Sequence, residues 1–400
     1  MEASEILSRL QQLRGEVREE LTTNILPYWL TRAQDPAQGG FIGRIDGSDI
    51  PHPDAPKGSV LNGRILWTFS AAYRRLKDPA YRAMADRAQG YILKHFVDRE
   101  AGGVFWMLDA SGHPLETKKQ VYAQAFVLYG LAEHFRATGT DASCNMAVQL
   151  FELLERHSFD PLDDGYFEAY DRNWSLLEDL RLSDRDANEK KTMNTHLHVL
   201  EAYSNLFRVL PDERLQRQLR NLVQIFLRRF LGEQDHFHLF FDEKWQLRSS
   251  IRSYGHDIEG SWLLCEAAEL ADDRALLEEV RDRAVIMAES VLQEGLDPDG
   301  GLIYERLEDG TMNTDRHWWP QAEAMVGFIN AWQISQNPAF AEAALRIWDF
   351  TKENLIDRKN GEWFWLADRE GRPNREEDKA GPWKCPYHNG RACMELMDRL

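Results

Sequence analysis

One short motif, returning at near-regular intervals, constrains this chain more than any other feature. Asp35-Pro36-Ala37-Gln38-Gly39-Gly40-Phe41-Ile42 joins two glycines to an aromatic and a brief apolar run, the pattern of a turn leading into a short strand. Ala101-Gly102-Gly103-Val104-Phe105-Trp106, Asp164-Gly165-Tyr166-Phe167-Glu168-Ala169-Tyr170, Asp299-Gly300-Gly301-Leu302-Ile303-Tyr304 and Asn360-Gly361-Glu362-Trp363-Phe364-Trp365 repeat it. A weaker copy, His236-Phe237-His238-Leu239-Phe240-Phe241, lacks the glycines. Recurrence every ~60–70 residues marks a repeat architecture.

Each interval has room for two helices of ordinary length. Asn62 to Tyr73 is apolar nearly all round, the pattern of a buried helix, whereas Tyr81 to Ala88 sets charge against alanine, the pattern of a surface helix. Ile6, Leu10, Leu13, Val17 and Leu21 place a further helix at the start. Inner helix, outer helix, turn and short strand, about six times over, predict an all-α (α/α)6 barrel with short β-hairpins or strands in its connecting loops. No Pro/Ser-rich linker or charge block interrupts the series, so one catalytic domain over residues 1–400 is expected.

A closed ring of helical hairpins brings the N-terminal ends of its inner helices to one mouth. The residues opening those helices are Arg64; Tyr122; Asn194 and His198; His256 and Glu259; Trp319 and Glu323; and His388 with Arg391. His256 and Glu259 share a helix face with Trp262 below them, so Glu259 is expected to orient the imidazole. His196 and His198 are two apart and point different ways, so one is expected at the mouth and one in the structure. Asn194 or Thr195 is expected to cap its helix. Trp262, Trp318, Trp319 and Trp383 all fall near the mouth, and indole faces suit the apolar faces of sugar rings. Paired carboxylates there would mean hydrolysis, and paired histidines proton transfer at carbon.

Other classes recede. A formal net charge of -18 argues against a nucleic-acid or anionic-membrane partner. No apolar run has the length of a bilayer span. The acidic opening Met1-Glu2-Ala3-Ser4-Glu5 has no signal pattern, so a cytoplasmic location is expected. The four cysteines form no CxxC pair and read as reduced thiols. There is no HExxH, and no metal or other cofactor is expected. A monomer is expected, with a homodimer as the alternative.

Asn194-Thr195-His196-Leu197-His198, Gly255-His256-Asp257-Ile258-Glu259, Arg316-His317-Trp318-Trp319-Pro320-Gln321-Ala322-Glu323 and Trp383-Lys384-Cys385-Pro386-Tyr387-His388-Asn389-Gly390-Arg391 resemble the N-acylglucosamine 2-epimerase superfamily. Within it they are most similar to the cellobiose 2-epimerase branch, from about residue 20 to the C-terminus. Gly63 and Gly260 depart from that pattern, where alanine is expected, but touch no proposed contact. The resemblance implies a metal-free isomerase acting at C2 of the reducing-end sugar of a β-1,4-linked disaccharide such as cellobiose, lactose or mannobiose. It implies His256 and His388 as the acid/base pair, His198 as a third proton-handling group, and Arg64 on the reacting oxygens. Tyr122, Asn194, Glu259 and Glu323 become polar contacts or supports, Trp319 and Trp383 platforms, and Asp186 a substrate-side acid. The alternatives are a monosaccharide epimerase or isomerase of the same family, an inverting glycoside hydrolase using Glu259 and Glu323, and a sugar-binding protein without catalysis.

Overall fold

The structure, a computed structural model, describes residues 3–183 and 186–400. The chain opens with α1 (Ala3–Glu19), which widens into a π turn and continues as α2 (Leu26–Arg32). Five helical hairpins follow: α3 (Ser59–Leu76) with α4 (Pro79–Tyr91), α5 (Val121–Thr138) with α6 (Asp141–His157), α7 (Met193–Val209) with α8 (Glu213–Ile225), α9 (Tyr254–Leu270) with α10 (Arg274–Glu294), and α11 (Trp318–Ser335) with α12 (Pro338–Asn354). The last helix is α13 (Tyr387–Arg399).

The odd-numbered helices from α3 to α13 pack side by side in chain order, and α13 returns onto α3 to close the ring. The even-numbered helices from α4 to α12 lie outside them, and α1 takes the remaining outer place against α12 and α13. This is the expected (α/α)6 barrel. Burial follows the sequence pattern: α5 is buried almost throughout, whereas α6 buries mainly Met146, Ala147, Leu150, Phe151 and Leu154. Gly63 and Gly130 let α3 and α5 approach closely, since a Cβ on Gly130 would sit 2.5 Å from the Gly63 carbonyl oxygen.

The recurring motif leads into a short strand as expected, since Met107–Leu108, Ala169–Tyr170, Phe240–Phe241, Glu305–Arg306 and Leu366–Ala367 end or directly follow five of its copies. Each copy closes as a single β-bridge: Gln34 to Phe41, Val97 to Val104, Phe159 to Tyr166, Leu231 to Phe237, Leu296 to Leu302 and Ile356 to Trp363. The partner strands come next to the inner helices. Lys57–Gly58, Lys119–Gln120, Lys191–Thr192, Arg252–Ser253 and Arg316–His317 each precede an inner helix and pair antiparallel with a strand of the following repeat. The mouth is therefore ringed by short ladders.

Ion pairs, most of them fully buried, fasten the segments before the inner helices to the turns. Lys57 Nζ bonds Asp35 at 2.7 Å, Lys119 bonds Asp98 at 2.9 Å and Lys191 bonds Asp160 at 2.7 Å. Arg316 holds Asp297, and Lys379 holds Asp357 at 2.8 Å. Asp35, Asp98, Asp160 and Asp357 each also accept two backbone N–H groups of their own turn. The fourth repeat has Gly232 after its bridging Leu231 and instead pairs His236 with Asp257 at 2.7 Å.

Inside the ring, a side chain from the first turn of an inner helix pins the bridging backbone. Gln124 bonds both polar groups of Val104, Gln321 both of Leu302, His196 Nε2 accepts from Tyr166 N, and Asp257 accepts from Phe237 N. His196 is thus the structural histidine of its pair. Turn, ladder and helix start form one unit, and that unit fixes what faces the mouth.

Candidate active site

The inner helices present side chains to the mouth at two levels. Near the first turn stand Tyr122, Asn194, His256, Trp319 and His388; one turn deeper, at the sixth position of their helices, stand Arg64, His198, Glu259 and Glu323. Residues a turn apart on one helix share a face, which is why a repeat of hairpins produces two stacked rings.

A cleft of about 450 Å³ lies at this point. Its walls include Arg64, Tyr122, Asp186, Asn194, His198, His256, Glu259, Trp319, Trp383 and His388. Two expected contacts are not on them. Trp262 is 1% exposed and points into the packing, where its indole N–H donates to Glu323 Oε2 at 3.2 Å. Glu323 itself sits behind His388 and receives that ring's Nδ1 at 2.6 Å. Both support the wall from behind.

Of the histidines on the cleft, His198, His256 and His388 are each held through Nδ1, which leaves Nε2 as the remaining ring nitrogen. His198 bonds Glu201 at 3.0 Å, His388 bonds Glu323 and His256 bonds the Ser253 hydroxyl at 2.7 Å. Glu259 therefore does not orient His256, contrary to the helix-face expectation. It reaches across the ring instead, accepting from Arg391 Nη2 at 2.7 Å. Arg391 Nη2 also donates to Glu323 at 2.7 Å, and its Nη1 donates to Glu201 and Tyr387 OH. The helix cap is a second correction. Thr192, not Asn194 or Thr195, caps α7 by accepting from Thr195 N, and Asn194 Oδ1 has no partner among the described residues.

Burial dominates the electrostatics. It pulls His256 down to about 3, with His198 adding to the effect. It pulls His198 down to about 4 despite Glu201, with Arg64 and Arg391 adding. His388 falls well below the ordinary histidine range through burial, then Arg64 and Arg391. All three are neutral at pH 7, so each can accept a proton. Burial raises Glu259 well above the usual carboxylate range, and the neighbouring Glu323 adds to this. Burial also works to raise Glu201, but Arg391 and His198 overcome it and bring it down to about 2.

Arg64 is held cationic in an aromatic cradle. Its guanidinium lies 4.2 Å from the Phe126 ring centre and 4.9 Å from that of Tyr387, and it donates to Tyr122 OH at 2.8 Å and to the Trp383 carbonyl at 3.1 Å. Burial opposes its charge, yet Tyr122, Cys385, Tyr387 and Glu259 keep its pKa above the ordinary value. Trp319 lies between two bases, 4.7 Å from the His256 ring centre and 5.7 Å from that of His388.

Several wall residues escaped the sequence reading. Tyr304 and Trp365 line the cleft, and they are the last aromatics of the fifth and sixth motif copies. His317 stacks on Tyr304 at 3.9 Å, while Ser253 stands three residues before His256 and Glu201 three after His198, spacings that helix geometry could have flagged. The cleft runs into a second chamber of about 510 Å³, with Asp186, Asn194, His256, Tyr304 and Glu377 on both. Asp186 is fixed there by the Ser183 N–H at 2.9 Å and hydroxyl at 2.7 Å. Glu168, pushed up to about 8 by burial, holds the start of α7 through Thr192 and Thr195.

Ligand atoms of Glu259, Glu323 and His388 lie within 4.8 Å of one another. That set is a poor cation site, because the Arg391 guanidinium already bonds both carboxylates. The same closeness counts against inverting hydrolysis, which needs carboxyls roughly 6.5–9.5 Å apart. Glu323, moreover, is not on the cleft wall.

Comparison with known proteins agrees with this geometry. The sequence model of the N-acylglucosamine 2-epimerase family matches residues 40–392. A cellobiose 2-epimerase of Bacteroides fragilis is 50% identical over 96% of this chain and 98% of its own length. The structure of cellobiose 2-epimerase from Bacillus thermoamylovorans superposes with a TM-score of 0.93 at 40% identity, covering 98% of this chain and 100% of that one. A D-mannose isomerase structure shares the fold, with a TM-score of 0.84 at 19% identity over 98% of both chains.

Proposed function

The chain belongs to the N-acylglucosamine 2-epimerase family, and on that premise we propose that it epimerises cellobiose at C2 of the reducing-end glucose. The observation that carries this reading is the convergence of His198, His256 and His388 from three inner helices on one cleft. Lactose and mannobiose, which present the same reducing-end chemistry, are the further substrates proposed.

Inverting a carbon beside an aldehyde requires opening the ring, removing the C2 proton and returning one to the other face. Two bases serve this better than one, since one neutral imidazole can accept the proton on one face while the other, as imidazolium, returns one on the opposite face. His256 and His388 are the proposed pair. In His388 the bond to Glu323 keeps the ring N–H on Nδ1, which leaves Nε2 to take the proton. His198, on the wall beside Tyr122 and Arg64, is the proposed group for opening the ring, by moving the proton of the anomeric hydroxyl to the ring oxygen as the C1–O5 bond breaks. The enediolate then formed carries charge on O1 and O2, and Arg64, permanently cationic and held by its cradle, is the proposed stabiliser. Trp319 and Trp383 give stacking faces to the two sugars, with Tyr122, Asp186, Asn194 and Glu259 as polar contacts.

Among the described residues no helix is long and apolar enough to cross a membrane. The proposed setting is the cytoplasm, supported by four unpaired thiols. The test is proton NMR of the purified, chelator-treated protein with cellobiose in D2O. Glucosyl-mannose carrying deuterium at C2, undiminished by the chelator, is the expected product. Free monosaccharide would replace the reading with hydrolysis. Turnover of N-acetylmannosamine or mannose alone would keep the chemistry and move the substrate.

A further inference from the structure

His198 and His388 stand on different inner helices, yet the carboxylates that hold them meet on one cation. Glu201 takes His198 Nδ1 at 3.0 Å and Glu323 takes His388 Nδ1 at 2.6 Å. Arg391 donates to Glu201 through Nη1 and, through Nη2, to Glu323 and Glu259 at 2.7 Å each. The guanidinium is 1% exposed, lies over the rings of Tyr387 at 4.3 Å and Trp262 at 4.8 Å, and does not reach the cleft.

We propose that Arg391 is a positioning residue that couples the two imidazole–carboxylate pairs, so that one guanidinium sets the basicity of His198 and His388 together. This rests on the proton-transfer reading above and deepens it. A carboxylate shared with a guanidinium gives its imidazole less negative charge than one it holds alone, so both rings stay neutral at rest. When His388 takes a proton, Glu323 turns its charge toward the new imidazolium. Arg391 then leans harder on Glu201, and Glu201 supports a proton on His198 less well. Coupling of this kind is reciprocal. The cluster therefore holds one imidazolium at a time, as a reaction that removes one proton from carbon and returns one requires.

Other charged and titratable groups also face the two pairs. Arg64 from α3 and Arg391 from α13 disfavour a proton on either ring; His198 from α7 and His256 from α9 also bear on His388. Glu259 from α9 lies 4.0 Å from His388 Nδ1, and Tyr122 from α5 lies edge-on to His198 at 5.0 Å.

The test follows the imidazole titrations of His198 and His388 by NMR of the histidine-labelled full-length protein, together with the pH profile of kcat/KM on cellobiose. Arg391→Gln should move both titrations, and the acid limb of the profile, up by about one unit. Glu201→Gln should move His198 down directly, and His388 down as well, because Arg391 is released onto Glu323. In the Arg391→Gln background the same Glu201→Gln change should leave His388 in place. Should Arg391→Gln fail to fold, Glu201→Gln and Glu323→Gln, each near-isosteric, carry the test on their own, each moving the histidine of the other pair. Titrations that shift only at the substituted pair would overturn the coupling, and so would a variant that loses stability with both titrations unmoved. The two readings separate cleanly. Coupled titrations without epimer formation would sink the proposed activity, and epimer formation with uncoupled titrations would sink the role of Arg391.

Discussion

The chemistry of this cleft depends on where two nitrogens point. His256 and His388 are both neutral, both held through Nδ1, and supplied by different arms of the ring. If each serves one face of C2, removing one should stop epimerisation but not all proton exchange. His256→Asn and His388→Asn should each lower the epimerisation rate by roughly 10²–10⁴-fold. Each variant should still exchange the C2 proton of one epimer with D2O, and the two should differ in which epimer that is. Exchange from both epimers in a single variant would show that one base serves both faces. Ser253 is the residue that sequence alone made hardest to see, because a serine before a helix reads first as a cap, and here it makes no capping bond. Ser253→Ala frees the His256 ring to rotate, and kcat should fall about tenfold with KM little changed. An unaltered kcat would show that packing against Trp319 suffices to hold the ring.

At the scale of the element, the helices were legible and their fastenings were not. Periodicity separates apolar α5 from one-sided α6 because burial acts directly on residue type. It says nothing of Lys191 and Asp160, which lie 31 positions apart and meet only when the ladder forms. Nor does it reveal that Glu259 turns away from His256 to Arg391, a partner 132 positions on. Lys191 is fully buried, so Lys191→Met leaves the Asp160 charge without its partner and should cost about 3–5 kcal/mol. Adding Asp160→Asn should recover a good part of that loss in chemical denaturation; a double variant no better than the single would mean that geometry, not charge, is what the pair supplies. Gly260 belongs here as well. It looks like a harmless departure from alanine, yet a Cβ there would stand 2.2 Å from the Phe237 ring. Gly260→Ala should destabilise by about 1–3 kcal/mol, and a neutral effect would show that Phe237 can move aside.

For the molecule as a whole, the buried histidines set how it meets acid. His196, His198 and His256 lie at about 3, 4 and 3, and His388 is well below the ordinary range, in every case with burial as the first cause. Their folded values are below those of the unfolded chain, about 6.5. Above pH 6.5 neither state is protonated at these rings and the stability they leave intact is complete. As pH falls below about 6.5 the unfolded chain takes up protons that the folded one refuses, and each ring then withdraws about 1.4 kcal/mol per pH unit until its own folded value is reached. His236, raised by Asp257 and Glu294 against the pull of burial, runs the opposite way and offsets one part of this. The thermal midpoint should accordingly drop by about 10 °C between pH 7 and pH 5. His196 gives the controlled comparison, because Gln124 and Gln321 hold the same place in other repeats and make the same kind of bond to the bridging backbone. His196→Gln should keep its stability at pH 7 within about 1 kcal/mol of the parent, lose none of the cleft histidines, and show an acid slope shallower by about one ring's share. The same slope in both proteins would mean that His196 is protonated in the folded state, and that the barrel meets acid through its carboxylates instead.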